Sequence, residues 1–159
     1  ASTYSQSYKG ESITIDKPTV ISALFYKGGI PIGRSIQSYI VGRSFNMPVM
    51  SIAAAHDDFF GFGRGIYVKG CCADSTAPYQ GANFWKGWER AINIEMYEPD
   101  NTLAFNQGAG ARIFGGFSKG LPMKSLAILA KSKYGPKKFK YQIELGKFSK
   151  ELKNTCCII

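Results

Sequence analysis

Histidine is almost missing from this chain: His56 is the only one in 159 residues. The four cysteines come as two vicinal pairs, Cys71-Cys72 and Cys156-Cys157, with no C-x-x-C spacing. Zinc sites draw on spaced Cys and His ligands, so the sequence gives no support for one. Spacing alone neither requires nor excludes a disulfide between the pairs. No apolar run approaches the roughly 18 residues of a membrane-spanning helix, and the first residues lack the basic and apolar regions of a signal peptide. Arginine is missing after Arg112. The lysine-rich remainder lacks the side chain that base-edge readers use most, which argues against sequence-specific nucleic-acid recognition.

What is abundant is glycine, aromatic residues and, late in the chain, lysine. Residues 119–159 hold ten Lys and two Glu, so almost all of the +9 net charge lies there. Such a segment is a phosphate- or polyanion-binding surface, or simply a solvated lysine-rich face. The many aromatic and β-branched residues and the 18 glycines favour strands over helices. The expected fold class is therefore mainly β, a β-rich α+β arrangement.

The chain punctuates itself accordingly. Ile13, Ile15 and the run Thr19 to Tyr26 read as strands broken at Asp16-Lys17-Pro18. Lys27-Gly28-Gly29 is a turn signal, and Ser35 to Val41 reads as a further strand. Gly42 to Asn46 reads as a linker, and Met47 to Ala54 as a buried strand. Next comes His56-Asp57-Asp58-Phe59-Phe60, a segment that in chains it resembles introduces a short surface element. The following Gly61-Phe62-Gly63-Arg64-Gly65-Ile66 fails as a dinucleotide fingerprint, because Ile66 stands where the third glycine belongs. It reads instead as a turn before a strand from Ile66 to Lys69, with a polar loop over 71–82. Ala91 to Tyr97 alternates Ile92, Ile94 and Met96 against Asn93, Glu95 and Tyr97, the pattern of a half-buried strand. Glu98-Pro99-Asp100-Asn101 is a turn, closed into a hairpin by Leu103 to Phe105.

The chemistry-bearing stretch runs from Phe105 to Gly135. Gly108, Gly110, Gly115, Gly116 and Gly120 crowd one segment between the Ala91–Tyr97 strand and an apolar strand, Ser125 to Ala130, that Lys124 opens. A glycine loop whose amides face phosphates, followed by a lysine, is one way to cradle a nucleoside triphosphate. It is not a Walker A loop, because Lys124-Ser125 follows Pro122-Met123 rather than a glycine at a helix start. The bland alternative makes the glycines turn or bulge residues and Lys124 a surface lysine. Phe84, Trp85 and Trp88 form a second candidate cluster, either a stacking platform for a sugar or base or an anchor for the core.

Several of these blocks together resemble the N-terminal part of the CotH-type (spore coat protein H-like) atypical protein kinases. The blocks are Arg112-Ile113-Phe114-Gly115-Gly116-Phe117-Ser118-Lys119, Leu121-Pro122-Met123-Lys124-Ser125-Leu126, Lys133-Tyr134-Gly135, Phe84-Trp85-Lys86-Gly87-Trp88-Glu89-Arg90 and Met47 to Ile52. The similarity spans roughly Phe45 to Tyr141. The region over 1–42 resembles the last strands of a fibronectin-like β-sandwich related to the chitobiase C-terminal domain, through Ile13, Ile15, Val20, Ile21, Ala23, Gly28 and Ser38-Tyr39. The implied organisation is a partial β-sandwich over 1–42 and an incomplete kinase-like N-terminal lobe over 43–159.

The resemblance implies that Arg112, Gly115, Gly116, Ser118, Lys119 and Lys124 lie in or near a nucleotide cleft. Lys124 would hold the phosphates of ATP, supplied with Mg²⁺, and the Gly115–Ser118 amides would cover them. A protein substrate, a secreted or bacterial cell-surface setting and cell-surface protein or glycan partners follow from the same resemblance. The acids that position acceptor and metal lie, in this family, beyond the glycine segment after an Arg-Asn-rich stretch. Only Glu144 and Glu151 follow Lys124, and neither sits in such a motif. The likeness decays after Tyr141, with Phe148 to Asn154 still family-like and Thr155 to Ile159 not. The expectation is a truncated nucleotide-binding lobe without turnover of its own. The alternative is a non-enzymatic module that binds carbohydrate or protein through Trp85 and Trp88.

Overall fold

A computed structural model describes the backbone of residues 6–145, 148–151 and 155–158, and the side chains of residues 6–141. Glu144, Glu151, Cys156 and Cys157 therefore have side chains outside the described set. The protein is mainly β. It divides into two compact units, 1–43 and 44–159, at a point inside the Gly42–Asn46 stretch.

In the first unit, strand β1 (Thr19–Lys27) pairs antiparallel with β2 (Ile30–Tyr39), from Thr19↔Tyr39 to Lys27↔Ile30, with a register shift between Phe25 and Tyr26. The turn is the two residues Gly28 and Gly29, with φ of 57° and 79°. Positive φ at both positions is the backbone whose twist suits a two-residue hairpin. Two expectations are corrected here. Residues 11–15 do not join a strand, since β1 begins only after Pro18, whose missing N–H cannot serve a ladder. The second strand starts at Ile30 rather than Ser35, because hairpin register pulls Ile30 opposite Lys27. Among the described residues this unit holds that one sheet, with Val20, Leu24, Phe25, Ile30 and Ile32 exposed.

In the second unit a five-stranded antiparallel sheet has the order β3-β4-β5-β6-β9. Its strands are β3 (Val49–Ala54), β4 (Arg90–Tyr97), β5 (Leu103–Phe114), β6 (Ser125–Leu129) and β9 (Thr155–Ile158). Strands β7 (Gln142–Leu145) and β8 (Phe148–Glu151) make a separate hairpin. Alternation decides the faces. Ile92, Ile94 and Met96 of β4 and Ala109, Ala111 and Ile113 of β5 enter one core with Phe59, Ile66, Phe84, Ile128 and Phe139. The β4–β5 turn works as its residues suggest: Asp100 Oδ1 accepts from Thr102 N at 2.9 Å, and Asn101 takes φ 66°.

Helix α1 (His56–Phe60) follows β3. The strand expected from Ile66 to Lys69 does not form. Ile66 N–H donates to Asp58 O at 3.0 Å and Tyr67 N–H to Phe59 O at 2.9 Å. The backbone is thus tied back onto α1 and buries Ile66 in the core rather than extending along a neighbour.

The glycine-rich segment is likewise not one loop. Gly108 and Gly110 lie inside β5, opposite Asn93 and Ala91 of β4. A Cβ at Gly108 would run into the Tyr134 carbonyl oxygen, and one at Gly110 into the Tyr134 ring, with Glu89 Oε1 at 3.0 Å. These two glycines are there because the 131–135 turn lies directly on the strand. Glu89 clips that turn down, pairing with Lys131 Nζ at 2.5 Å and Lys133 Nζ at 2.9 Å.

Candidate functional site

The turn between β5 and β6 brings the remaining sequence candidates together. Gly115 has φ 117°, and a Cβ there would collide with Ser118 Oγ. The Ser118 hydroxyl is thus tucked against Gly115, and the positive φ there favours glycine. Phe117–Gly120 forms a short 3₁₀ turn. Gly116 opens it, its carbonyl accepting from Lys119 N–H at 3.0 Å. The chain then reaches Lys124 at the head of β6.

Lys124 is held on three sides. Its N–H donates to Tyr67 Oη at 2.9 Å, and its ammonium donates to Leu121 O at 2.5 Å. Nζ lies 4.4 Å from the Phe84 ring centroid and 5.4 Å from that of Tyr67. Burial, with the nearby Lys69 ammonium adding to it, holds its pKa below the ordinary lysine value. A half-buried cation facing a second cation is stabilised by an incoming anion.

Lys119 extends over Trp85, its Nζ 5.1 Å from the ring centroid. Trp85 is fixed in turn by its indole N–H, which donates to Pro78 O at 2.8 Å. Phe84 and Trp85 sit in a 3₁₀ turn (Asn83–Trp85) whose buried Asn83 donates from Nδ2 to Phe62 O at 2.9 Å. The result is an aromatic floor of Tyr67, Phe84 and Trp85 carrying two ammoniums.

Arg112 is not part of this group. It pairs with Ala127 in the sheet, and alternation sends its exposed side chain to the face opposite Ala111 and Ile113. Lys69 was not among the sequence candidates. Its Nζ stands 3.4 Å from the Tyr79 ring centroid. No motif marks it, because it reaches the site through the α1 tie-back that a strand reading of 66–69 conceals.

Trp88 has cations at its ring, Lys86 Nζ at 4.6 Å and Arg90 Cζ at 4.9 Å. Both tryptophans are partly buried against the core. Among the described residues no group of three or more His, Cys, Asp or Glu side chains converges as a metal site. None of the described helices is long and apolar enough to cross a membrane.

No family model matches the chain, and no curated protein or solved structure matches it.

Proposed function

We propose that this chain binds the phosphates of a nucleotide, with ATP the ligand implied by the CotH-type resemblance, and that it does so as the nucleotide-binding portion of an atypical protein kinase without turnover of its own. The observation that carries the reading is Lys124. Its ammonium is held over Phe84 and Tyr67, and among the described residues no carboxylate lies within ion-pairing distance of it. Lys131 and Lys133 are different: both are ion-paired with Glu89. Lys119, placed over Trp85 beside the Gly115–Ser118 turn, adds a second cation.

The donor set fits phosphate oxygens, which take charge-assisted hydrogen bonds from ammoniums. Mg²⁺ beside a nucleotide is held mostly by the phosphates and water with one or two carboxylates, and among the described residues no group of three or more His, Cys, Asp or Glu side chains converges. What the described side chains offer is the binding and orientation of a phosphate chain. The glycan alternative is the weaker reading, since Lys119 lies at the ring of Trp85, Lys86 and Arg90 lie at that of Trp88, and the Trp85 N–H is committed to Pro78. The secreted or cell-surface setting and a protein substrate remain part of the proposal on the resemblance alone.

Titration calorimetry with ATP and with adenosine tests it. ATP binding is expected to weaken roughly ten-fold or more in Lys124→Gln, the worth of one charge-assisted contact, with adenosine binding far more weakly than ATP to either protein. Equal ATP affinities in the two proteins would sink the reading.

A further inference from the structure

Lys69 belongs to none of the blocks that pointed to a site, yet the fold brings it there. Its carbonyl accepts from Asn83 N–H at 2.9 Å, next to Phe84 and Trp85. Its ammonium rests on Tyr79. Tyr79 itself is held at φ 60°, an uncommon backbone for a bulky residue. The loop that carries it is docked on two turns: Pro78 O accepts from the Trp85 indole N–H at 2.8 Å, and a Cβ at Gly120 would lie 2.9 Å from Pro78 Cα. Lys119 on Trp85 and Lys124 on Phe84 therefore stand on neighbouring rings, with centroids 6.5 Å apart, and Lys69 rests on Tyr79, the residue after the Pro78 whose carbonyl holds the Trp85 indole.

An aromatic face holds an ammonium in place without cancelling its charge. Among the described residues none of the three lysines has a carboxylate within 4.0 Å, while Arg64, Arg90, Lys131 and Lys133 each do. Lys69 is tied by its carbonyl to Asn83, next to the Phe84 ring on which the Lys124 ammonium sits, and Lys124 N–H donates to Tyr67, two residues before Lys69. A single phosphate presents one cluster of oxygens to such a set. A chain of linked phosphates spreads its charge along its length, and three separate cations suit that distribution.

We propose that Lys69, Lys119 and Lys124 form a three-lysine clamp for an oligophosphate chain, with Lys69 its third phosphate-binding residue. This rests on the phosphate-binding reading above and deepens it. The chemistry is shared by nucleoside triphosphates and inorganic triphosphate, and selectivity lies in the number of linked phosphates.

The test is titration calorimetry with sodium tripolyphosphate, ATP and AMP on the full chain and on Lys69→Gln, Lys69→Arg and Lys124→Gln. Tripolyphosphate is expected to bind, with AMP at least ten-fold weaker. Lys69→Gln should lose roughly ten-fold for tripolyphosphate and ATP and little for AMP, and Lys69→Arg should retain most of the binding. Either order of ATP and tripolyphosphate supports the clamp: ATP ahead shows that the nucleoside adds contacts, and parity shows that the chain suffices. If Lys69→Gln matches the parent protein while Lys124→Gln loses binding, phosphate binding stands and the clamp falls. If AMP binds as tightly as tripolyphosphate, the oligophosphate selectivity falls. If no phosphate ligand binds, both readings fall. Lysine acetylation followed by mass spectrometry gives a readout on the unaltered protein. Tripolyphosphate should protect Lys69, Lys119 and Lys124 and leave Lys86 unchanged, and an unprotected Lys69 overturns the proposal.

Discussion

Replacing Glu89 with Gln should flatten the acid limb of this protein's stability curve. Burial alone would raise the Glu89 pKa, but the Lys131 and Lys133 ammoniums and the Tyr134 hydroxyl outweigh it and lower it from 4.5 to about 2. A carboxylate with a depressed folded-state pKa adds stability above its unfolded pKa and loses it as pH falls. The window here runs from about pH 4.5 down to about 2. At 1.36 kcal/mol per pKa unit the full effect is about 3 kcal/mol. Lys131 and Lys133 are half-exposed, with side chains 48% and 58% accessible. Water screens such pairs, so roughly 2 kcal/mol is the working figure. Urea unfolding followed by tryptophan fluorescence, at several pH values between 7 and 2.5, measures it. The parent protein should lose about 2 kcal/mol more than Glu89→Gln across the window, and the variant should already be the less stable at pH 7. Parallel stability curves for the two proteins would show that the clip over β5 is not held by this charge.

Two further substitutions probe packing, one under the 131–135 turn and one in the Asn83–Trp85 turn. Gly108→Ala should destabilise by about 2 kcal/mol or more, the cost of overpacking, because its Cβ meets the fixed Tyr134 carbonyl rather than a movable side-chain tip. A melting temperature within a degree of the parent would refute the direct contact. Asn83→Ala removes the buried amide that donates to Phe62 O and should cost about 1–3 kcal/mol. Because it loosens the Asn83–Trp85 turn, it should also weaken ATP binding, whereas unchanged affinity in a destabilised protein would separate that turn from the site.

Much of the fold was legible because local signals agreed. The Ile92-Ile94-Met96 alternation gave β4 its core face, Gly28-Gly29 gave the hairpin, and Glu98 to Asn101 gave the β4–β5 turn. What failed had more than one physical meaning. Glycine serves a positive φ, as at Gly115, or a close approach, as at Gly108. Only the position of Tyr134, distant in sequence, tells the two apart. The Ile66-Tyr67-Val68-Lys69 run has strand-like composition, but its backbone hydrogen bonds go to α1. Of the candidate site, the 115–124 stretch was readable from motif, whereas Lys69 enters through that unforeseen tie-back and Arg112 leaves through strand alternation.

The clip on β5 also orders the events of folding. Glu89 and Lys131 are 42 residues apart in sequence, and β4, β5 and β6 are all built from the chain between them. Neighbouring antiparallel strands can zip up through successive turns, each closing a short loop. The Glu89 contact closes a long one, whose entropy must be met before it yields anything. Loop entropy therefore favours its forming after the three-stranded meander has brought its ends together. The clip is a seal on an assembled sheet and not its nucleus, so weakening it should speed unfolding far more than it slows folding.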